Sequence, residues 1–469
     1  MAKPSCPGCR QRDARIAALE RQVAELQTLV RDLHARLGSN ATNSSVPPSA
    51  NPPDAPKPVV KQPTGRPPGA QPGHACCRRV RLPATQVHDV VHHRPTACRR
   101  CQAALPDAPG PHDPAPTWHQ VAELPPLAAR ITEHQGHTRV CPRCGTRNHA
   151  AIPADVRAHV VGPRLAAVMA YLSGGRHDSK RGVEEVVETV FGVPIALGTV
   201  AAVEHEVSAA LAPAHAEAVH AVRTAPAKHA DETSWKRAGQ LCWLWTAVTA
   251  RVACFVIHAR RGAEGLTALL GATVTGVVTS DRWAVYDRLD VYRRQLCWAH
   301  LLRDFQAMVD RGGPAAAVGE SLLSWAEILF IWWYAVRDGT LLRSSLRTKI
   351  NGIRPYFRAE LEAGLVCGCA KTAAVCRNLL AWEPALWTFT RVEGVEPTNN
   401  AAERALRPAV LWRRRSFGCH SESGCRFVER LLTVGQTLRL QKRRILDYLV
   451  EAITAHRQGL PAPQLLSSQ

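Results

Sequence analysis

Apolar positions recur along this chain with three different spacings, and each spacing predicts a different kind of element. Between residues 13 and 37, Ile16, Leu19, Val23, Leu26, Val30, Leu33 and Leu37 alternate steps of three and four, with polar and charged residues between them. One apolar seam on a helix results, so residues 1–37 are read as an N-terminal coiled-coil helix, the alternative being a single amphipathic helix lying on the protein's own body. The pattern stops at Gly38. Residues 38–75 are rich in Pro, Ser, Asn and Gly and cannot bury a core, which predicts a flexible linker. Residues 76–150 form a small Cys-containing module. Helical spacing returns over 155–222, in GPRLAAVMAYLSGG and VEEVVETVFGV, with Pro194 to Val207 reading as a turn and then a helix.

From Ala227 the period changes to that of strands. Lys228 to Asp231 reads as a short strand ending in an acid. Leu241 to Thr249 and Val252 to Ala259 read as two strands joined by a tight turn. A helix follows at Ala263 to Leu270, then a strand from Val274 to Asp281 that again ends in an acid. Arg282 to Leu289 reads as helical, Arg294 to Trp298 as a further strand, and His300 onward as a helix. Three strands followed by helix, strand, helix, strand and helix predict an α/β domain built on a mixed sheet. It spans 226–418, with a mostly helical insert at about 314–390 and a C-terminal helical region at 419–469. The last helix of the domain starts near Asn400 and carries Glu403.

The 469 residues exceed one ordinary compact domain, and 46% are hydrophobic, enough for a sizeable core. The balance of 59 Lys and Arg against 39 Asp and Glu gives a net charge of +20, which points to a polyanionic partner, above all nucleic acid. On that basis 151–225 is read as a helical DNA-binding region with a helix-turn-helix-like part. Arg66, in Gly65-Arg66-Pro67, suits an A·T-rich minor groove, although an ordinary linker would look the same. The polar N-terminus has no signal-peptide pattern, and the clean apolar run from Ile328 to Val336 is too short to span a bilayer. The expected location is cytoplasmic, at the nucleoid and away from any membrane.

In a reducing compartment Cys-x-x-Cys pairs read as metal ligands. Cys98, Cys101, Cys141 and Cys144 make two such pairs and would close a tetrahedral structural Zn²⁺ site. Cys6 and Cys9 form a third pair, which Cys76 and Cys77, or nothing, could complete.

Asp231 and Asp281 end predicted strands that would lie side by side, and Glu403 sits one turn into a helix opened by Pro397-Thr398-Asn399-Asn400. Singly, each acid could be an ordinary strand-end or capping residue. Together they would repel one another unless cations lay between them, and two Mg²⁺ (or Mn²⁺) ions suit an all-oxygen site for phosphoryl displacement. Arg404, Arg407, Arg413, Arg414 and Arg415 follow on the same helix and are candidates for holding phosphate. Cys297 and His300 could ligate metal, position a DNA strand or brace the site's edge. Trp332 and Trp333 could stack on an extruded base or pack inside the insert.

These motifs, in this order, resemble the insertion-sequence-66 transposases of bacteria. The likeness is carried by Leu37-Gly38-Ser39-Asn40-Ala41-Thr42-Asn43-Ser44-Ser45-Val46-Pro47-Pro48-Ser49, by Gln71-Pro72-Gly73-His74 with the Cys pairs, and by His229-Ala230-Asp231-Glu232-Thr233. Asp281 with Trp283 and Tyr286, Cys297-Trp298-Ala299-His300, and Pro397-Thr398-Asn399-Asn400-Ala401-Ala402-Glu403-Arg404 complete it; the last is the most specific. Arg413-Arg414-Arg415-Ser416-Phe417-Gly418 follows the family's pattern only loosely. The resemblance implies a ribonuclease-H-like catalytic domain with Asp231, Asp281 and Glu403 as catalytic residues. It further implies cleavage at transposon ends, strand transfer into double-stranded target DNA, a homo-oligomer and small companion proteins. A DNA-binding relative that does not cut, and a nuclease that cuts without joining, remain alternatives.

Overall fold

The computed structural model describes residues 7–44, 81–125 and 127–466. Expectations placed on 45–80, including Arg66, Gln71–His74, Cys76 and Cys77, and on Cys6 and the side chain of Cys9, lie outside what is described. The chain divides into two compact units, Pro56–Ala128 and the remainder (Met1–Ala55 with Ala129–Gln469). In the smaller unit the described residues include a closed turn at Cys98–Cys101, with Ala97 bridged to Ala104.

The larger unit begins with α1 (Pro7–Leu37), whose seam residues Ile16, Leu19, Val23, Leu26, Val30 and Leu33 are all exposed. The next residues, read from composition as the start of a linker, fold into a side-chain-bonded turn. Asn40 is buried, its Oδ1 accepts from the Thr42 N–H at 2.8 Å, and Asn43 Nδ2 donates to Asp310 Oδ2 at 2.7 Å. Short polar side chains offer the backbone such local partners, which composition alone does not reveal. A small hairpin, β1 (Thr138–Val140) with β2 (Arg147–His149), precedes five helices: α2 (Ala154–Ala158), α3 (Pro163–Ala170), α4 (Lys180–Phe191), α5 (Leu197–Ala210) and α6 (Ala212–Thr224).

A five-stranded sheet follows, made of β3 (Ala227–Arg237), β4 (Gln240–Val248), β5 (Ala253–His258), β6 (Val277–Ser280) and β7 (Arg294–Leu296), with α7 (Ala263–Leu270) between β5 and β6. Its spatial order is β5-β4-β3-β6-β7. The first three strands form an antiparallel meander, and β6 and β7 join on the other side of β3 in parallel. Helix α8 (Trp298–Asp310) leads into the predicted insert: α9 (Gly313–Arg337), α10 (Arg343–Leu365), α11 (Ala370–Ala381), α12 (Glu383–Leu386) and α13 (Thr388–Arg391). The chain ends in α14 (Asn400–Ser416), α15 (Glu422–Leu440) and α16 (Ile445–Arg457).

Three sequence expectations change. Asp231 does not end its strand: β3 runs on to Arg237 because β4 pairs with it through that whole stretch. Arg282 to Leu289 is not an α-helix but contains a short 3-10 turn, Ala284–Arg288. The apolar run bounded at Ile328 and Val336 belongs to the 25-residue α9, which by length and composition could cross a membrane. Its Val318, Leu322, Ala326, Leu329 and Trp333 instead enter the insert's core with Trp298, Phe357 and Trp387. Trp333 is therefore core, packed edge-on against Phe389 at 5.7 Å, whereas Trp332 is half-buried with Lys349 Nζ 5.2 Å from its ring centre.

The edge strand β5 is covered by α15 in a regular way. The N–H groups of Ala253, Phe255 and Ile257 donate to Thr437 Oγ1 at 3.1 Å, Thr433 Oγ1 at 3.0 Å and Glu429 Oε1 at 2.5 Å. Four residues of helix rise about 6 Å and two residues of strand about 6.6 Å, so an acceptor every fourth helical residue meets a donor every second strand residue. The row of edge N–H groups that would otherwise invite another strand is thereby satisfied.

Candidate active site

The sheet register brings the first two acids together. β3 and β6 pair in parallel with Ala227 opposite Val277, Lys228 opposite Val278 and His229 opposite Thr279. Two residues further on, the same register sets Asp231 opposite Asp281, just beyond the end of β6. Neighbouring strands lie about 4.8 Å apart, and residues in one register point to one face. Asp281 is fixed by its own turn, its Oδ1 accepting from the Trp283 N–H at 3.0 Å. Asp231 Oδ1 accepts from the Glu232 N–H at 2.9 Å.

Glu403 arrives from the other side, in the first turn of α14. The Pro-Thr-Asn-Asn stretch that starts this helix docks it rather than capping it. Asn399 is fully buried, makes no side-chain cap, and donates from Nδ2 to the Ala230 carbonyl at 2.8 Å, next to Asp231 in the chain. Its backbone N–H donates to Cys297 Sγ at 3.1 Å, and the Trp298 N–H donates to the Pro397 carbonyl at 2.9 Å. These bonds tie the N-termini of α8 and α14 together beside β3. Ala402, Ala405, Leu406, Ala409 and Trp412 are the buried stripe of α14, at helical spacing. Both helices present their positive dipole ends to the carboxylate cluster.

The electrostatics follow from burial and crowding. Burial pushes the Asp231 carboxyl well above the usual range, and the neighbouring carboxylates Glu232, Asp281 and Glu403 add to it, against the opposing Glu232 N–H. Burial and Asp281 likewise raise Glu232, which Arg261 and Tyr286 hold back. Arg261 donates to Glu232 Oε1 from Nε at 3.0 Å and Nη2 at 2.8 Å, and Tyr286 Oη donates to Oε2 at 2.8 Å. The guanidinium lies between the Trp243 and Trp283 rings, 4.7 and 4.1 Å from their centres. Glu232, Tyr286 and Arg261 were not singled out from sequence as a functional set; an acid directly after Asp231 on a strand, and an aromatic five residues past Asp281, were the available signals.

His300 lies in the first turn of α8 with Nδ1 3.8 Å from Glu403 Oε1. Burial lowers its pKa and favours the neutral imidazole, against the raising effect of Asp281 and Glu403. Cys297 is fully buried and its thiol is pushed up to about 12 by burial, which keeps it a hydrogen-bond acceptor rather than a thiolate. Sequence placed Arg413 with the phosphate-holding arginines. In the fold its Nη1 donates to Thr233 Oγ1 at 3.0 Å, Ser234 Oγ at 2.6 Å and the Ser234 carbonyl, which commits it to β3. Arg415 lies 3.6 Å from Asp178, and Arg404, Arg407 and Arg414 are on the exposed side of α14. The chain turns sharply after them at Phe417 and Gly418, both at positive φ. A Cβ on Gly418 would stand 2.2 Å from the Lys236 carbonyl, so only glycine fits against the end of β3.

Each Cys pair forms a tight turn of the same kind. The Gln102 N–H donates to the Cys98 carbonyl at 3.0 Å and the Cys98 N–H to the Ala103 carbonyl at 2.9 Å. The Gly145 N–H donates to the Cys141 carbonyl, and the Cys141 N–H to the Thr146 carbonyl, both at 2.9 Å. Gln102 and Gly145 take the positive φ that closes each turn. The Cys101 N–H, and then that of Arg100, lower the Cys98 thiol; the Thr146 side chain does most to lower Cys144.

The model for the family described as Transposase IS66 family matches residues 159–426, from the first core helices through the site to the start of α15. A protein of Sinorhizobium fredii (strain NBRC 101917 / NGR234), named "Uncharacterized protein y4qI", is 29% identical over 218 residues, which is 44% of this chain and 40% of that protein. The chain thus matches about two fifths of the length of that relative.

Proposed function

The chain belongs to the IS66 transposase family, and from that premise we propose that it cleaves DNA at transposon ends and joins them to double-stranded target DNA, with Asp231, Asp281 and Glu403 as the ligands of two Mg²⁺ (or Mn²⁺) ions. The observation that carries this reading is the parallel register that sets Asp231 opposite Asp281 while Asn399 docks the helix bearing Glu403 beside them. The donor set fits hard cations: three crowded carboxylates, one of them pushed upward by burial, and a buried Glu403 Oε1 with no hydrogen-bond partner. When bound, such ions activate the attacking oxygen and stabilise the leaving oxygen of an in-line phosphoryl displacement.

The chain's own residues supply the frame. Asp281 is oriented by its turn, Asp231 by the strand, and Glu403 by the Asn399 and Cys297 anchors. Glu232, fixed by Arg261 and Tyr286, makes the wall behind Asp231. Arg404, Arg407, Arg414 and Arg415 line the helix leading away from the site, where they would meet the phosphate backbone. The sheet order supports a ribonuclease-H-like domain interrupted by the α9–α13 insert. The exposed seam of α1 supports pairing with a second copy as a coiled coil, and each Cys turn offers a pair of free thiols to a structural Zn²⁺. Companion proteins and a nucleoid location belong to the same reading.

A cleavage and strand-transfer assay tests it, on a labelled duplex carrying the element's ends, with Mg²⁺ or Mn²⁺ and any companion proteins supplied. Metal-dependent product is expected from the wild type, with a loss of at least ~10³-fold in Glu403→Ala while DNA binding persists. Binding without product in both proteins would leave a DNA-binding protein and sink the catalytic reading.

A further inference from the structure

Two buried polar atoms at the edge of the carboxylate cluster lie close to one another. His300 Nδ1 and Glu403 Oε1 are both shielded from solvent, neither has a hydrogen-bond partner, and they stand 3.8 Å apart. That separation is too long for a hydrogen bond. Buried polar atoms are rarely left this way, because each one unsatisfied costs about 1–3 kcal/mol. Ligand atoms bound at about 2.1 Å to one ion can be up to about 4.2 Å apart, so a single ion can bridge the two.

The surrounding bonds hold the pair in place rather than satisfying it. Cys297, whose Sγ lies within 4.8 Å of a ring nitrogen of His300 and a carboxylate oxygen of Glu403, already accepts the Asn399 N–H at 3.1 Å and acts as a brace. The hydrogen bond from the Trp298 N–H to the Pro397 carbonyl fixes the start of α8, which carries His300, against the approach to α14, which carries Glu403.

We propose that His300 Nδ1 and Glu403 Oε1 share one divalent ion, so that this edge of the site is a mixed nitrogen and oxygen position selecting a first-row transition ion over Mg²⁺. Imidazole nitrogen favours such ions, whereas Mg²⁺ prefers oxygen and retained water. This rests on the reading that Glu403 holds a divalent ion and adds to it the identity of a further ligand and of the ion favoured there.

The test uses the full, tag-free chain without DNA and Mn²⁺ as the probe, followed by electron paramagnetic resonance. Bound Mn²⁺ should show nitrogen hyperfine coupling in the wild type and in Cys297→Ser, and Mg²⁺ should compete for this position ~10-fold or more less well than Mn²⁺. His300→Ala should abolish the coupling and weaken Mn²⁺ by ~10-fold or more, with Mg²⁺ binding little changed. Bound Mn²⁺ without nitrogen coupling in the wild type overturns the proposal, and that measurement needs no variant to fold. A coupling that persists in His300→Ala also overturns it. Nitrogen-coupled Mn²⁺ that His300→Ala removes, in a protein that never cuts DNA, would uphold this inference while sinking the catalytic one.

Discussion

Replacing Asp231 by Asn should stabilise the metal-free protein while removing its response to Mg²⁺. The parallel register sets Asp231 and Asp281 side by side, on strands about 4.8 Å apart. Two carboxylates about 5 Å apart at an effective dielectric constant of about 20 repel by about 3 kcal/mol. Burial and the other carboxylates push the Asp231 carboxyl well above the usual range, and taking up a proton at pH 7 would cap the total cost at about 4 kcal/mol, so the folded, metal-free chain carries a cost in either form that Asn removes. Asn keeps the oxygen that accepts the Glu232 N–H and removes the charge. In EDTA the melting temperature of Asp231→Asn should therefore rise by about 5 °C or more, since 1 kcal/mol moves a domain of this size by roughly 2 °C or more. Added Mg²⁺ should then raise the wild type, by about 2.7 kcal/mol when it stands a hundredfold above its dissociation constant, and leave the variant almost unmoved. Differential scanning calorimetry with and without Mg²⁺ reads both effects. A variant no more stable than wild type in EDTA, or one that Mg²⁺ stabilises equally, would refute the claim that these acids crowd one cation site.

Two other predictions concern the scaffold. Thr433→Val keeps the shape of the side chain but leaves the buried Phe255 N–H of β5 without its acceptor, and should cost about 1–3 kcal/mol in urea unfolding at unchanged m-value; a change near zero would mean α15 does not satisfy that edge. His177, stacked on Trp412 at 5.2 Å, is lowered to about 4 by burial and then by Arg415. The unfolded chain takes up this proton near pH 6.5 and the folded chain only near 4, so stability should fall as pH drops through that window. Because the ring is only partly buried, the share is discounted to about 1–2 kcal/mol, and His177→Gln should flatten that part of the pH–stability curve; an unchanged slope would refute the assignment.

Much of the architecture is legible in the sequence because it is written in local periods. The heptad seam from Ile16 to Leu33, the alternation in β4 and β5, and the helical insert all follow from which side chains must face water. The three acids and the Pro397–Arg404 motif are visible as residues, too. Their arrangement is not. That Asp231 lies inside β3, level with Asp281, depends on a strand register set by residues about fifty positions apart, and a slip of one residue would turn it to the other face. Pro397–Asn400 reads in sequence only as a helix start, and in the fold Asn399 serves as an anchor to β3 because burial brings its amide to the carbonyl of Ala230. Arg413 reads as one basic residue among several until the packing of α14 directs it alone to Thr233 and Ser234. Local chemistry therefore determined the elements and the kinds of residue at the site. The tertiary structure decided which of those residues meet, because only long-range packing sets which strand neighbours which and where a helix end comes to rest.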